Sequence, residues 1–402
     1  MSHFVYADNA ATTPVSPAVF QAMEPWLRGG YGNPSSIYSI ARDAKAAVEN
    51  AREQVAAVIG AKPSEIIFTG CGSESDNMAL KGIALAYRDK GRHIISTKIE
   101  HHAVLHTLEY LAKLGYDITY LDVDADGLVN PADVEAAIRP DTILISVMAA
   151  NNEIGTVEPI AEIGAIAAAH KIPFHTDAVQ AYGHIPLDVS AMRLSLLSLS
   201  AHKLYGPKGV GALYVKSGTR IDTFLHGGGQ ERGRRGGTEN VAGIVGLGVA
   251  AEAAAAAMPV ESPRIAAMRD RLITELCKLP YSRLTGHPTR RLPGNASFCF
   301  EAIEGESLVL TLDMLGVAAS SGSACSSGSL DPSHVLMAIG LPHEVAHGSL
   351  RLSLGAENSD ADVDHIIASV RSAVDRLRSM SPLWEDMFPA GTMKKQQTAP
   401  VK

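Results

Sequence analysis

Cysteine is scarce in this sequence. The 402 residues include four cysteines, Cys71, Cys277, Cys299 and Cys325, and no two of them form a C-x-x-C pair. This number and spacing exclude a disulfide-stapled scaffold and a zinc site built from cysteines. We therefore expect the protein to work in a reducing compartment.

An excess of positive charge is also lacking. Lys and Arg number 35 against 43 Asp and Glu, which gives a formal net charge of −8. Because no basic field is present to hold phosphate backbones, a nucleic acid is not expected as the main ligand.

No segment predicts export or a membrane span. The first residues, MSHFVYADNAATTP, have neither a basic start nor an apolar core, so we expect no secretory signal and a cytoplasmic location. The longest apolar stretch, 241–258, contains Glu252, and its uncharged part, 241–251, is too short to cross a bilayer. This stretch instead predicts a long Ala-rich helix packed inside the protein.

Apolar, β-branched runs recur between segments of helical length. This alternation predicts an α/β fold with a mostly parallel seven-stranded sheet between helices. The predicted strands are 65–70, 93–100, 116–124, 141–151, 171–177, 196–200 and 210–216.

The pattern changes after residue 258. MPVESPR, at 258–264, predicts a proline-containing break, followed by a new helix, short strands and a final amphipathic helix near 360–379. We therefore expect a large domain over 15–258 and a smaller α+β domain formed by 1–14 and 259–385. The tail, 386–402, has little to bury and is predicted to be disordered.

One short motif offers a metal site as an alternative. HEVAH, at 343–347, places His343, Glu344 and His347 in the H-E-x-x-H spacing that binds zinc on a helix. The motif fixes only three positions and has no third ligand. We therefore predict a turn at the start of a helix and no metal.

Polar residues follow the predicted strands, at the sheet edge where open α/β folds bind ligands. TGCGSESDN, at 69–77, is a Gly/Ser turn entering a helix, and its free N–H groups suit a phosphate. His101 and Asn152 follow two later strands. His101 or its neighbour His102 could stack on a ligand or transfer protons, although a lone histidine there is more often structural.

Asp177 and Lys203 carry a more specific signal. An aspartate ending a buried strand is costly to ionise without a positive partner. A lysine in such a pocket loses hydration and becomes an amine nucleophile for a carbonyl. Pyridoxal phosphate requires this set: a lysine for a Schiff base, an acid for the pyridinium nitrogen and a phosphate cradle.

With these residues in place, the sequence resembles the cysteine desulfurases of the NifS/IscS type, which are fold-type I pyridoxal-phosphate enzymes. The resemblance covers about residues 5–385 and is closest to the nitrogen-fixation branch. It is carried by YADNAATTPVSPAV, YGNPSS, SESDN, EHHAVL, NNEIG, HTDAVQAYGHIPLD, SLSAHKLYGPKGVGALYV, GGGQERGRRGGTEN, SSGSACSSGSLDPSHVL and AHGSLRLSLG.

The resemblance implies roles around the cofactor ring. Lys203 would hold pyridoxal 5'-phosphate covalently, Asp177 would pair with the ring nitrogen, and His101 would stack on the ring. Gln180 and Asn152 would contact the region of the ring hydroxyl.

It also implies a phosphate site, a substrate site and a homodimer. Thr238 would reach the phosphate of the neighbouring subunit, and Arg351, helped by Asn152, would bind the substrate carboxylate. The phosphate ligands within one chain would be Gly72, Ser73, Ser200 and His202.

Cys325 is the predicted nucleophile. It lies in a Gly/Ser loop, 320–330, whose composition is typical of a mobile connection, and a thiol there would be exposed. The resemblance implies that Lys203 removes the α-proton of L-cysteine and that Cys325 takes the sulfur as a persulfide, leaving L-alanine. His101 would exchange a proton with the substrate thiol.

The sulfur would then pass to an iron–sulfur scaffold or another acceptor protein, in nitrogenase maturation. Two alternatives remain open at this stage. One is an aminotransferase or selenocysteine lyase that does not use Cys325, and the other is a non-catalytic assembly scaffold.

Overall fold

The computed structural model describes residues 3–322 and 332–387. Its strands lie close to the predicted ones in the first half of the chain. They are β1 (Val5–Tyr6), β2 (Ile66–Thr69), β3 (His93–Thr97), β4 (Asp117–Leu121), β5 (Thr142–Ser146), β6 (Phe174–Asp177), β7 (Leu196–Ser200), β8 (Gly211–Val215), β9 (Ser282–Thr285), β10 (Asn295–Phe300), β11 (Val317–Ala318) and β12 (Ser349–Ser353).

Seven of these strands form one sheet in the order β2-β8-β7-β6-β5-β3-β4. Strand β8 runs antiparallel to both of its neighbours, and the other pairings are parallel. The prediction of a mostly parallel seven-stranded sheet is confirmed. Because β3, β5, β6 and β7 share a direction, the residues that follow them meet at one edge of the sheet.

Helices cover both faces of this sheet. Along β7, Leu197 and Leu199 face one apolar core and Leu196 faces the other, as the period of two in a strand requires. The helices are α1 (Pro17–Arg28), α2 (Ser39–Val58), α3 (Gly72–Tyr87), α4 (His102–Lys113), α5 (Pro131–Ala136), α6 (Ile160–Ala169), α7 (Val241–Leu276), α8 (Gly305–Met314), α9 (His334–Ala338), α10 (His343–His347), α11 (Asp360–Ser379) and α12 (Pro382–Met387).

The predicted break at 258–264 is wrong, because α7 runs through it with Pro259 and Pro263 inside the helix. Both prolines are exposed, so water can reach the carbonyl groups that lose their partners. Ile244 and Leu247 pack on the large core, while Leu272 packs on a second core. Burial at both ends outweighs the cost of about 3 kcal/mol for each proline.

By length and composition, α7 is also long and apolar enough to cross a membrane. It is instead packed between the two cores, as the sequence predicted for its first half.

The second core lies under a three-stranded antiparallel sheet in the order β12-β10-β9. The N-terminal β1 pairs with β11, so the first residues of the chain join this part of the molecule. The tail predicted to be disordered begins at residue 386. Its first two residues, Asp386 and Met387, form the end of α12, and 388–402 lie outside the described residues.

Candidate active site

A cleft of about 460 Å³ opens at the carboxyl ends of the large-sheet strands. It contains every predicted site residue that the structure describes, except Thr238. The predicted residues lining it are Gly72, Ser73, His101, Asn152, Asp177, Gln180, Ser200, His202, Lys203 and Arg351. Sequence reasoning missed other lining residues, notably Asp8 and Asp76.

The N-terminus of α3 forms one end of the cleft. Cys71 precedes the helix, and its side chain makes no capping hydrogen bond to the first N–H groups. A Cβ on Gly72 would lie 2.7 Å from a methyl carbon of Val179, which explains the glycine. The Ser200 hydroxyl oxygen faces this turn from β7 and is buried without a hydrogen-bond partner among the described residues. Buried donors at a helix N-terminus suit a phosphate.

Lys203 and Asp177 lie in the same cleft, just past β7 and at the end of β6. The Lys203 Nζ donates to the carbonyl oxygens of Ala10 at 2.6 Å and Ala11 at 2.7 Å. The Asp177 carboxylate accepts from the Val179 N–H at 2.9 Å. Burial raises the pKa of Asp177 to about 6, although this hydrogen bond and the charge of Lys203 oppose the rise. A cationic ring nitrogen would offset the cost of that buried charge.

A second buried carboxyl, Asp76 on α3, lies on the same side of the sheet. Burial and the neighbouring Asp177 raise the pKa of Asp76 well above its usual range. Beside it, His175 hydrogen-bonds Ser146 at 2.9 Å and Ser198 at 3.0 Å, and burial lowers the pKa of His175 to about 3. His175 is therefore neutral at pH 7, and burial disfavours a negative charge on Asp76.

Glu100 is a third buried acid near Asp76. It accepts hydrogen bonds from the Thr97 hydroxyl at 2.8 Å and from the Met148 N–H at 2.9 Å. Burial raises the pKa of Glu100 to about 8. The signal for Asp76 and Glu100 in the sequence is weak, because each is a single acid inside a motif interpreted for another residue.

His101 caps α4, and its Nδ1 accepts from the Ala103 N–H at 3.1 Å. Burial, followed by the charges of His102 and Lys203, lowers the pKa of His101 to about 4. The ring is therefore neutral at pH 7. His202 is similar: burial lowers its pKa to about 4, and its Nδ1 lies 3.1 Å from the Thr12 hydroxyl.

Arg351 projects into the cleft from β12 and is buried. Its Nη1 donates to the Asn152 carbonyl at 3.0 Å, and its Nη2 donates to the Asp8 carboxylate at 2.8 Å. The Nε has no hydrogen-bond partner among the described residues. Gln180 also lines the cleft, and its side-chain amide donates to the Ala10 carbonyl at 2.9 Å.

Two predicted residues are not placed in the cleft. Thr238 is exposed and does not line the cleft of its own chain. Cys325 lies outside the described residues, whereas Ser320, five positions earlier, lines the cleft.

The zinc alternative gains no support from the geometry. His343 and His347 lie in α10 with their ring centroids 4.5 Å apart. Within residues 3–322 and 332–387, no three His, Cys, Asp or Glu side chains gather as a metal site would require.

Comparison with known proteins defines the class. The family model for class-V aminotransferases matches residues 5–366. The chain therefore belongs to the class-V aminotransferase family, which depends on pyridoxal phosphate.

Within that family the similarity to cysteine desulfurases covers nearly the whole chain, and this confirms the resemblance. The chain is 57% identical to the cysteine desulfurase IscS of Methanosarcina thermophila, covering 94% of each protein. It is 55% identical to the IscS of Clostridium botulinum strain Hall, covering 96% of this chain and 98% of that protein.

Solved structures agree with this grouping. A NifS-like protein superposes with a TM-score of 0.88 at 38% identity, covering 93% of this chain and 100% of that one. SspA in complex with cysteine gives a TM-score of 0.78 at 41% identity, covering 87% and 98%. Membership of the nitrogen-fixation branch stays a prediction.

Proposed function

We propose that this protein removes sulfur from L-cysteine with pyridoxal phosphate, releasing L-alanine and leaving the sulfur on Cys325. The observation that carries the proposal is the placement of Lys203, Asp177 and Arg351 around one cleft. An amine, a buried acid and a guanidinium are the groups needed to hold a carbonyl cofactor and an amino-acid carboxylate together.

The residues present fit the cofactor. The Ser200 hydroxyl, which has no partner in the described part of the chain, and the start of α3, which the Cys71 side chain does not cap, suit its phosphate. Asp177 suits its ring nitrogen. The neutral ring of His101 suits stacking. When bound, pyridoxal phosphate supplies an electron sink for negative charge at the α-carbon of the amino acid.

The side chains of this protein would then act as follows. Arg351 binds the substrate carboxylate, and the Nζ of Lys203 takes the α-proton. Asp177, as an anion, would hold the proton on the ring nitrogen, because the cationic ring nitrogen would offset the cost of burying that charge. His101, neutral at pH 7, accepts the proton of the substrate thiol.

The sulfur transfer is assigned to Cys325. Its thiolate attacks the substrate sulfur, an S–S bond forms, and the C–S bond breaks with its electron pair going to carbon. That carbon takes up a proton, and the product is alanine. The persulfide would pass to an iron–sulfur scaffold or another acceptor protein, with Thr238 completing the phosphate site of the partner in a cytoplasmic homodimer.

The decisive experiment compares Cys325→Ser with Lys203→Ala. We expect Cys325→Ser to keep the absorbance of the bound cofactor and to lose the sulfide that wild type releases from L-cysteine when an added dithiol reduces the persulfide, because only the sulfur acceptor is gone. Lys203→Ala should lose both the covalent attachment, tested by borohydride reduction and peptide mapping, and the activity. Alanine and sulfide are quantified in parallel.

The same experiment separates the rival functions. Sulfide release that persists in Cys325→Ser would contradict the proposal and favour a lyase that acts without this thiol. Wild-type protein that binds no pyridoxal phosphate would favour a non-catalytic scaffold.

A further inference from the structure

The proposed substrate-binding arginine already has a carboxylate partner within the chain. Asp8 accepts from the Arg351 Nη2 at 2.8 Å, and the two side chains are 19% and 5% exposed, respectively. Asp8 also lines the cleft. A substrate carboxylate that binds Arg351 must therefore share the guanidinium with Asp8 or displace it.

Asp8 is held in place by its backbone. It forms a β-bridge with Ser353, two residues beyond Arg351 on β12. On either side, the Asn9 N–H donates to the Ser353 carbonyl at 3.1 Å and the Ser353 N–H donates to the Ala7 carbonyl at 2.7 Å. This pairing fixes the main chain of Asp8 beside β12, so its carboxylate can leave Arg351 only by rotation of its own short side chain.

The rest of the guanidinium is arranged for a ligand. Nη1 is held by the Asn152 carbonyl, whereas Nε is buried without a partner among the described residues. An unpaired buried N–H is costly, and a carboxylate oxygen from a ligand would satisfy it. Asn152 and Asp8 thus fix the orientation of Arg351, and Nε remains for the ligand.

We propose that Asp8 is a positioning residue that aligns Arg351 and lowers its affinity for the carboxylate of substrate and product. The inference rests on the proposed function. Two carboxylates beside one guanidinium repel each other, and this repulsion is strong in a partly desolvated cleft. The arrangement favours release of the product carboxylate over retention.

Asp8→Asn tests the inference, because asparagine keeps an oxygen that can accept from Nη2 and removes only the charge. Binding of L-alanine to the holoenzyme is measured by calorimetry, and cysteamine, which has the thiol and amine of cysteine but no carboxylate, is the matched ligand. We expect L-alanine to bind about tenfold more tightly to Asp8→Asn than to wild type. Cysteamine binding should change less than about twofold.

A second variant separates alignment from repulsion. Asp8→Ala removes both the charge and the acceptor, so it should bind L-alanine more weakly than Asp8→Asn does. In steady-state assays with L-cysteine, Asp8→Asn should lower KM and leave kcat within about twofold.

Equal or weaker L-alanine binding in Asp8→Asn would overturn the inference, as would an equal gain for cysteamine. A purely structural ion pair predicts a loss of thermal stability with no difference between the two ligands. Wild-type holoenzyme that binds neither ligand would instead contradict the proposed function, so the two failures are distinct.

Discussion

The two walls of the cleft are built in different ways. On the large-sheet wall, Asp177 ends β6, Ser200 ends β7 and Lys203 lies just past β7, so each is placed by the strand that it ends or follows. On the opposite wall, Arg351 is oriented by Asp8 and by the backbone of Asn152, which lie far from it in the sequence. One wall is a series of local motifs, and the other is an assembly of distant segments.

The walls also treat charge differently. Near Asp177, burial raises the pKa of Asp76 and raises that of Glu100 to about 8, so negative charge is disfavoured on both, and Asp177 is the acid assigned to the proposed ring nitrogen. On the other wall, the charge of Arg351 is balanced by Asp8, and a ligand carboxylate must share the guanidinium with Asp8 or displace it. We infer that the first wall is suited to a permanently held group and the second to one that comes and goes.

The largest effect on activity should come from the large-sheet wall. Asp177→Asn keeps the shape but loses the anion that stabilises the ring-nitrogen proton, so kcat should fall by about 10²–10³-fold. The cofactor should remain attached to Lys203, as borohydride trapping would check. A change in KM alone, with kcat unchanged, would contradict the distinction between the walls.

Arg351→Lys should have a smaller effect, and it should be found mainly in substrate affinity. Lysine keeps the charge but cannot make the paired hydrogen bonds of a guanidinium. We expect KM for L-cysteine to rise about 10- to 100-fold, as for the loss of one hydrogen bond between charged groups. The absorbance of the bound cofactor is the control and should not change, because Arg351 lies on the other wall.

The same contrast explains what could be predicted from the sequence. The strands of the large sheet, and residues at or just past their ends such as Asp177 and Lys203, were predictable because apolar, β-branched runs stop where these polar residues stand. Asp8 was not, because its partner lies 343 positions away and no local pattern links them.

Two other misses have physical causes of a different kind. Asp76 lies within SESDN, where a phosphate turn accounts for the whole motif, and an acid on the buried side of a helix has no periodic signal. The continuous α7 was missed because Pro259 and Pro263 are local breakers, whereas the packing that overrides them is tertiary.

The last prediction tests whether Glu100, near Asp177, is neutral in the folded protein. The pKa of Glu100 is about 8 in the folded protein, above the value of about 4.3 expected when unfolded. Between these values the folded state binds the extra proton, so Glu100 makes stability fall as pH rises, by at most about 1.4 kcal/mol per pH unit. The side chain of Glu100→Gln does not titrate, so this variant lacks the contribution of Glu100 to the fall in stability with pH.

The gain in stability of Glu100→Gln over wild type should therefore increase from pH 5 to pH 8 in denaturant unfolding of the cofactor-free protein. Glu53→Gln, at an exposed position on α2, is the control, and its curve should follow wild type throughout. A gap between Glu100→Gln and wild type that does not change with pH would mean that Glu100 is ionised in the folded protein. Asp177 would then share its side of the sheet with a second negative charge, and the electrostatic contrast between the walls would be lost.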